Sequence, residues 1–484
     1  MKKLSEFISL LAPQQVLNAA DVLISRVACQ PEEAGPDCLY CVIDEFLEYG
    51  HWIEGSRLLT ASMLKNVTAL LTERALPYAL PQLVVADVRK AMAQTVQFFY
   101  GRPDQDIKII GVTGTNGKTT VTHLIDQWLT ACGERSAALG TLGLYQGTQR
   151  QEETVYTTPL APALFRILNE LCVAGVSVLA MEISSHALTL DRVFGLDVDV
   201  AVFTNLSRDH LDFHGTMADY QAAKVSLFTG LKSTALAVIN GDDAVGREIA
   251  QRSAVPIVEY GFTPTAGLQA VQVDYSLQGT QLQLRYGAQT AAIITTLVGS
   301  FNVYNLLAAL GACLAVGIPL EQLAATSEAL HGVPGRLERV ALPGERVGIV
   351  DYSHTPDALE KVLHTLRALK PGRIITVFGC GGNRDRGKRP LMGDVVARAS
   401  DLCVVTSDNP RREEPLAIIH DILEGMPPQG VIVEPDRRAA IREAFALSRP
   451  GDVILLAGKG HEPYQIIGDQ KFPFSDIEEL RCLK

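Results

Sequence analysis

The decapeptide GVTGTNGKTT, residues 111–120, follows the apolar run IKII and places Gly114, Thr115, Asn116, Gly117, Lys118, Thr119 and Thr120 in one short stretch. A tight turn needs only one or two glycines. Glycines leading into Lys118 and Thr119 suit instead a loop that wraps its N–H groups around phosphate, with Lys118 adding positive charge and the Thr119 hydroxyl reaching Mg2+. The spacing departs from the general phosphate-loop pattern, because Val112 occupies the place of the first glycine and Gly111 stands one residue too early. The flanks compensate: IKII reads as a buried strand, and Val121, Leu124, Ile125, Trp128 and Leu129 recur at helical spacing. Strand, loop and helix, in that order, are what nucleoside-triphosphate binding requires. Two further apolar runs end in polar groups, AMEISSH in Glu182 and FTNLSRDHLDFHG in Asn205, Asp209 and His210. Mg2+ takes a few hard oxygen ligands and leaves the rest of its octahedron to water or phosphate, so Glu182 with Thr119 fits that need.

Parallel strands covered by helices on both faces must position these residues. The near-continuous apolar runs IKII, VSVLAME, VDVAVFTN and TALAVIN have the expected composition. The last third of the chain repeats the grammar with RVGIVDY, RIITVFG, DLCVVTSDNP and DVILLAGKG. Each run there ends in polar residues or glycine: Asp351 and His354, then GCGGNRDRGKRP, then Asp408, Asn409 and Arg411, then GKGHE. In open parallel sheets the carboxyl ends of the strands border the ligand crevice, which makes this edge a second binding surface. The polar segment GRPDQD and the later LHGVPGRLERV divide the chain. The expected fold is α/β in three domains: a smaller N-terminal α/β domain over residues 1–102, a central P-loop-type parallel-sheet domain over 103–334, and a C-terminal Rossmann-like α/β domain over 335–484.

A chain of 484 residues is too long for one ordinary core. No charge-free apolar run reaches bilayer length, and Glu6 interrupts the start MKKLSEFISLLAPQQ, so neither a membrane span nor a secretory signal is expected and the address is cytoplasmic. The net charge of −11 disfavours nonspecific nucleic-acid binding, although NRDRGKRP suits small anions. Nine cysteines, an odd number, do not form a disulfide framework. Cys38 and Cys41 lie in an alternating run with no second pair at zinc-site spacing, and are expected as buried thiols.

Taken together, GVTGTNGKTT, MEISSHAL, FTNLSRDHLDFHG, FNVYNLLAAL, GRLE, DYSHTPDALE, FGCGGNRDRGKRPLMG, DNPR and GKGHEPYQ resemble the Mur ligase family, in order, from about residue 80 to about residue 475; the first hundred residues match loosely. The resemblance implies ATP-dependent amide formation, in which a substrate carboxylate takes the γ-phosphoryl group and an amine attacks the acyl phosphate. It implies that Thr119 and Glu182 hold one Mg2+, that His210 helps to hold a second, and that Lys224 carries a CO2-derived carbamate supporting a metal; Lys118, Lys224 and His210 are then the catalytic set. Read by itself, Lys224 is an exposed helix lysine. Ser25, Thr157, Thr158, Ser184 and Arg192 correspond to contacts of a UDP-linked muramoyl dipeptide. For ATP, Asn302 corresponds to an adenine contact, and Arg336 and Asp351 to residues around the phosphates and ribose; Asn302 also reads as a helix cap.

The stretch Asp408 to Arg411 equals the DNPR signature of the members that add meso-diaminopimelate. Diaminopimelate ends in a second amino-acid head, whereas lysine ends in an ammonium alone. The resemblance implies that Arg411 would bind the distal carboxylate and repel the lysine ammonium, so that one side chain attracts and excludes; read by itself, DNPRREEP is a polar turn entering a helix. Arg389, Asn409, Gly458 and Glu462 also match positions around diaminopimelate, with Glu462 suited to the distal amine. A monomer acting on small molecules is expected. The pattern departs from the family at Ile24, where an Asp-Ser-Arg signature has Asp, at Glu45 and Tyr49-Gly50, where a glycine and an Asp-Gly turn are usual, and at Tyr156, where asparagine is common. Three readings follow: the diaminopimelate-adding ligase, a paralogue running the same reaction on another carboxylate acceptor, and a non-catalytic nucleotide-binding protein.

Overall fold

The computed structural model describes all residues except 44–45, 49–50, 54–58, 277, 370 and 484, so the departures at Glu45, Tyr49 and Gly50 lie outside the described residues. Two compact units emerge, one of residues 1–269 with 305–323 and the other of 270–304 with 324–484. The chain has the mixed α/β fold that its alternation of strands and helices implies.

The first unit begins with a five-stranded sheet in the order Gln15–Leu17, Gln82–Val84, Val67–Thr72, Cys38–Cys41, Arg26–Ala28. Cys38 and Cys41 are free and buried; burial pushes the Cys38 thiol up to about 11 and the Cys41 thiol well above its ordinary value, which makes both poor nucleophiles. Ile24 is fully buried and pairs with Lys2 across a short antiparallel contact.

In the second sheet of this unit the Lys108–Thr113 strand lies between Val178–Glu182 and Val200–Phe203, parallel to both. Ser136–Gly140 extends the sheet beyond Val178–Glu182, and Leu236–Asn240 then Ile257–Gly261 extend it beyond Val200–Phe203. Apart from the exposed Lys108, the central strands are buried along their length, and each fully buried Val, Leu or Ile contributes about 1.5–3 kcal/mol. The helix Lys118–Ala131 buries Val121, Leu124, Ile125, Trp128 and Leu129, the periodic set seen in the sequence, and the Trp128 indole donates to the Leu323 carbonyl at 2.9 Å. Gly111, the glycine one place too early for the loop, sits within the strand, where a Cβ would stand 2.5 Å from Ile183.

The second unit holds a six-stranded sheet in the order Glu338–Leu342, Arg346–Asp351, Val453–Ala457, Ile374–Phe378, Leu402–Val405, Val431–Val433. Only the first pair is antiparallel. Side-chain alternation sends Ile374 and Phe378 to a core with Leu359, Met392 and Ile419, and Ile375 and Val377 to a core with Ile441 and Leu480. Helices cover both faces, so the carboxyl edge is where polar residues are presented. No helix among the described residues is long and apolar enough to cross a membrane.

Candidate functional site

The phosphate loop is held in shape by the neighbouring strand end. Gly114 and Gly117 have φ of 147° and 87°, and a Cβ would strike the Thr204 hydroxyl at the first and the Asn305 amide at the second, so both glycines are required. The amides of Thr115 and Asn116 do not point into an open cradle: they donate to the Asn205 backbone oxygen at 2.8 Å and to its side-chain oxygen at 3.0 Å. The Thr115 hydroxyl meets Tyr220 at 3.1 Å and the Ser207 amide at 3.0 Å. Thr115 and Asn116 therefore fix the loop. The amides of Gly117, Thr119 and Thr120, at the N-terminus of the 14-residue helix, make no hydrogen bond to any described residue and are the donors a phosphate would meet. Lys118 folds its ammonium onto the carbonyls of Gly114 and Thr115, both at 2.9 Å.

Glu182, fully within the protein at 1% exposure, ends the strand beside this loop. One carboxylate oxygen accepts from the Thr141 amide at 2.8 Å and the other from its hydroxyl at 3.3 Å, which leaves lone pairs on both. The buried Thr119 hydroxyl has no hydrogen bond to a described residue. A carboxylate and an open hydroxyl are the hard oxygen donors that Mg2+ takes, so this pair fits the ion.

Lys224 is not an exposed helix lysine. It lies on the helix Met217–Thr229, is 1% exposed, stands over the Tyr220 ring and donates to the Gly114 carbonyl at 2.7 Å. Lys118 and Lys224 thus converge on one oxygen. Burial first, and the Lys118 charge second, hold the Lys224 ammonium well below its ordinary pKa. His210 is exposed with φ 51°; its ring faces His186 at 4.9 Å between centroids and its Nε2 lies 3.4 Å from Asp209.

A hydrogen-bonded chain joins Glu182 to four of the five residues expected at the acceptor. Thr157 meets the Thr141 hydroxyl at 3.0 Å, Thr158 donates to the Glu182 carbonyl at 2.9 Å and accepts from the Ser184 amide at 3.1 Å, and Arg192 donates to the Thr158 carbonyl at 3.1 Å. Burial lowers the Arg192 guanidinium to about 10, still charged at neutral pH. Ser25, itself exposed beside the buried Ile24, is not part of this chain, and its amide donates to the Asp37 carbonyl.

In the second unit Asp408 and Asn409 follow one strand end and Gly458, Lys459 and Glu462 another. The Asn409 oxygen accepts from the Lys459 ammonium at 3.1 Å and the Ile466 amide at 2.9 Å, so its NH2 turns to Glu462 at 2.7 Å. Lys459 is fully buried and lies 3.3 Å from the same Glu462 oxygen; the other oxygen makes no hydrogen bond to a described residue. Arg411 anchors one Nη on the Gly382 carbonyl at 2.9 Å, and its Nε and second Nη have no partner among the described residues. Arg389 differs: it is buried and bonded to both Glu413 oxygens at 2.9 Å and to Asp421 at 2.8 Å, and it tethers the Gly381 carbonyl.

Beneath these loops the fully buried Arg437–Asp476 pair is bidentate at 2.8 and 2.7 Å, and Arg437 also donates to the Ser407 and Ala457 carbonyls, the residues just before Asp408 and Gly458. Asp351 accepts from the amides of Leu337 and Ser353 at 2.8 and 2.9 Å. Arg336 lies over Tyr352 at 4.9 Å, its Nε buried without a hydrogen bond. Asn302 donates to the Val298 carbonyl at 2.9 Å. Sequence reading passed over Thr141, Asn305, Lys459 and Arg437; of these only Lys459, inside GKGHE, stood in a motif at a strand end, and Asn305 in FNVYNLLAAL is masked by the helical pattern around it.

A nucleotide loop, a carboxylate beside it and paired acidic and basic side chains at a second sheet edge define an ATP-dependent ligase of the Mur type. Residues 112–313 match the Mur ligase middle domain and residues 335–460 the Mur ligase glutamate ligase domain. The chain belongs to the Mur ligase family. It is 43% identical over 441 residues, 90% of each chain, to the UDP-N-acetylmuramoyl-L-alanyl-D-glutamate 2,6-diaminopimelate ligase of Geobacillus kaustophilus, and 41% identical over 98% of its length and 97% of the relative's to that of Syntrophomonas wolfei. A solved structure of a ligase of that name superposes with a TM-score of 0.71 at 34% identity, covering 98% of this chain and 97% of the other. The MurF ligase of Thermotoga maritima in complex with ADP shares the fold, with a TM-score of 0.61 at 18% identity over 92% and 96% of the two chains.

Proposed function

We propose that this chain joins meso-diaminopimelate to UDP-N-acetylmuramoyl-L-alanyl-D-glutamate, with ATP cleaved to ADP and phosphate, in the cytoplasmic synthesis of peptidoglycan precursor. The observation that carries this reading is the hydrogen-bonded chain from Thr157 through Thr141 and Glu182 to Thr158 and Arg192. It puts the residues suited to an anionic acceptor beside the carboxylate that flanks the phosphate loop.

The free amides of Gly117, Thr119 and Thr120 with the Lys118 ammonium bind the triphosphate and orient its terminal group toward the acceptor carboxylate. Phosphoryl transfer between two anions depends chiefly on such positioning and on positive charge. Thr119 and Glu182 would hold Mg2+, which would neutralise phosphate charge, and His210 would contribute to a second ion. Burial and the Lys118 charge lower the Lys224 pKa, which favours the amine form that adds CO2 with release of a proton; the resulting carbamate would set an anion beside the Lys118 ammonium. In the second unit Glu462 receives the distal ammonium of diaminopimelate on its open oxygen, and Arg411 receives the distal carboxylate on its unpaired donors. The enzyme acts as a monomer on small molecules. The three domains 1–102, 103–334 and 335–484 divide the acceptor nucleotide, ATP and amino acid among them.

The test is phosphate release by the purified protein with Mg2+ and ATP. Release that needs both the muramoyl dipeptide nucleotide and diaminopimelate is the expected result. Silence with that nucleotide but turnover with another carboxylate acceptor transfers the assignment to the paralogue reading, which the apolar Ile24 in the acceptor-side domain favours.

A further inference from the structure

Arg192 is 7% exposed and pairs with no carboxylate among the described residues. Its polar contacts are one Nη on the Thr158 carbonyl at 3.1 Å and the ring of Tyr156, whose centroid lies 4.5 Å from the guanidinium carbon. Nε is buried without any hydrogen bond, and Arg89 adds positive potential at the same place. Burying an arginine with no counter-ion is costly, and the arrangement makes sense only if a ligand supplies the anion.

The geometry of the pair selects that anion. With Tyr156 against one face and Thr158 holding one Nη, the edge left over is the in-plane fork of Nε and the second Nη. A flat carboxylate matches that fork with two parallel hydrogen bonds. Tyr156 is half-buried and adjoins Thr157 and Thr158, which belong to the chain leading to Glu182. Asparagine, common at this position in the family, has no ring to lie against the Arg192 guanidinium, as Tyr156 does.

We propose that Tyr156 is a specificity-determining positioning residue, whose ring sets the plane of the Arg192 guanidinium so that it grips a carboxylate of the acceptor not used in the reaction. The inference rests on the acceptor assigned under the proposed function. Stacking of a partly desolvated arginine on an aromatic ring is worth up to about 2 kcal/mol, or about 30-fold in binding.

The experiment is steady-state phosphate release with Tyr156→Ala, Tyr156→Asn and Tyr156→Phe. Tyr156→Ala and Tyr156→Asn should raise KM for the muramoyl dipeptide nucleotide about ten-fold, with kcat and the KM values for ATP and diaminopimelate within about two-fold of the parent. Tyr156→Phe keeps the ring and should restore the parent KM. An acceptor whose free glutamate carboxylate is converted to the amide should lose affinity for the parent and show little further loss in Tyr156→Ala. An unchanged KM in Tyr156→Ala, a Tyr156→Phe as impaired as Tyr156→Ala, or an undiminished loss with the amidated acceptor overturns the proposal. A parent protein that is itself silent with this nucleotide removes the assigned acceptor and the proposal together, whereas an active parent with unaffected variants removes the proposal alone.

Discussion

Replacing Arg411 with alanine should abolish the preference for diaminopimelate over lysine while leaving the fold intact. One Nη of Arg411 is tied to Gly382, so the side chain is already oriented and offers Nε and the other Nη to a carboxylate. Hydrogen bonds to charged groups contribute about 1.5–3 kcal/mol each; allowing for the partial exposure of the site, about 3 kcal/mol for the pair corresponds to about a 100-fold fall in kcat/KM for diaminopimelate. For lysine the same substitution removes a like-charge contact, so its kcat/KM should hold or rise. Arg411→Lys keeps the charge without the fork and should fall between. The backbone is independently held: the Arg411 amide donates to Ile466 at 3.0 Å and its carbonyl accepts from Gly468 at 2.7 Å. Its left-handed φ of 52° strains alanine about as much as arginine. Phosphate release at saturating ATP and acceptor, titrated with each amino acid, reads the ratio directly. A ratio unchanged within two-fold, or an equal loss for both amino acids, would refute the electrostatic account.

Lys224→Ala should lower turnover about 100-fold and regain part of it on addition of short carboxylates such as acetate; full activity without rescue is incompatible with a carbamate there. Arg437→Met strands the buried Asp476 carboxylate and should lower unfolding stability by about 3–5 kcal/mol, seen as a fall in urea midpoint, and an unmoved midpoint would contradict the clamp beneath the two amino-acid loops. Asp126 is buried, with Ser136 donating at 2.6 Å and Gly147 at 2.9 Å, and burial raises it to about 6. Because the folded pKa lies above the unfolded one, its contribution is greatest in acid and declines as pH rises through the folded value. The stability difference between parent and Asp126→Asn should shift against the parent by about 1 kcal/mol from pH 5 to pH 7.5. Equal differences in urea titrations at the two pH values would show that the carboxyl is not held in this way.

The placement of polar groups at strand ends was legible because local rules govern it. Glycines before Lys118 and Thr119, an apolar run before them and a helical period after them specify strand, loop and helix without reference to distant residues. The position of Glu182 at a strand end and of the DNPR stretch just beyond one was legible for the same reason, since a strand buried on both faces presents polar groups at or beyond its end, whereas the role of DNPR was suggested by the family resemblance alone. Long-range packing decided the rest. Lys224 reads as a solvated helix residue until the helix is set against the loop, where Gly114 receives its ammonium. The amides of Thr115 and Asn116 look available for phosphate until Asn205, some ninety residues on, takes both. Arg389 resembles a ligand group in the sequence, yet Glu413 and Asp421 claim it in the fold. Residue types and short spacings thus announced which reactions the chain is built for, whereas hydrogen-bond partners far apart in sequence settled which donors stay open, because each polar group bonds to whatever the folded backbone brings within reach.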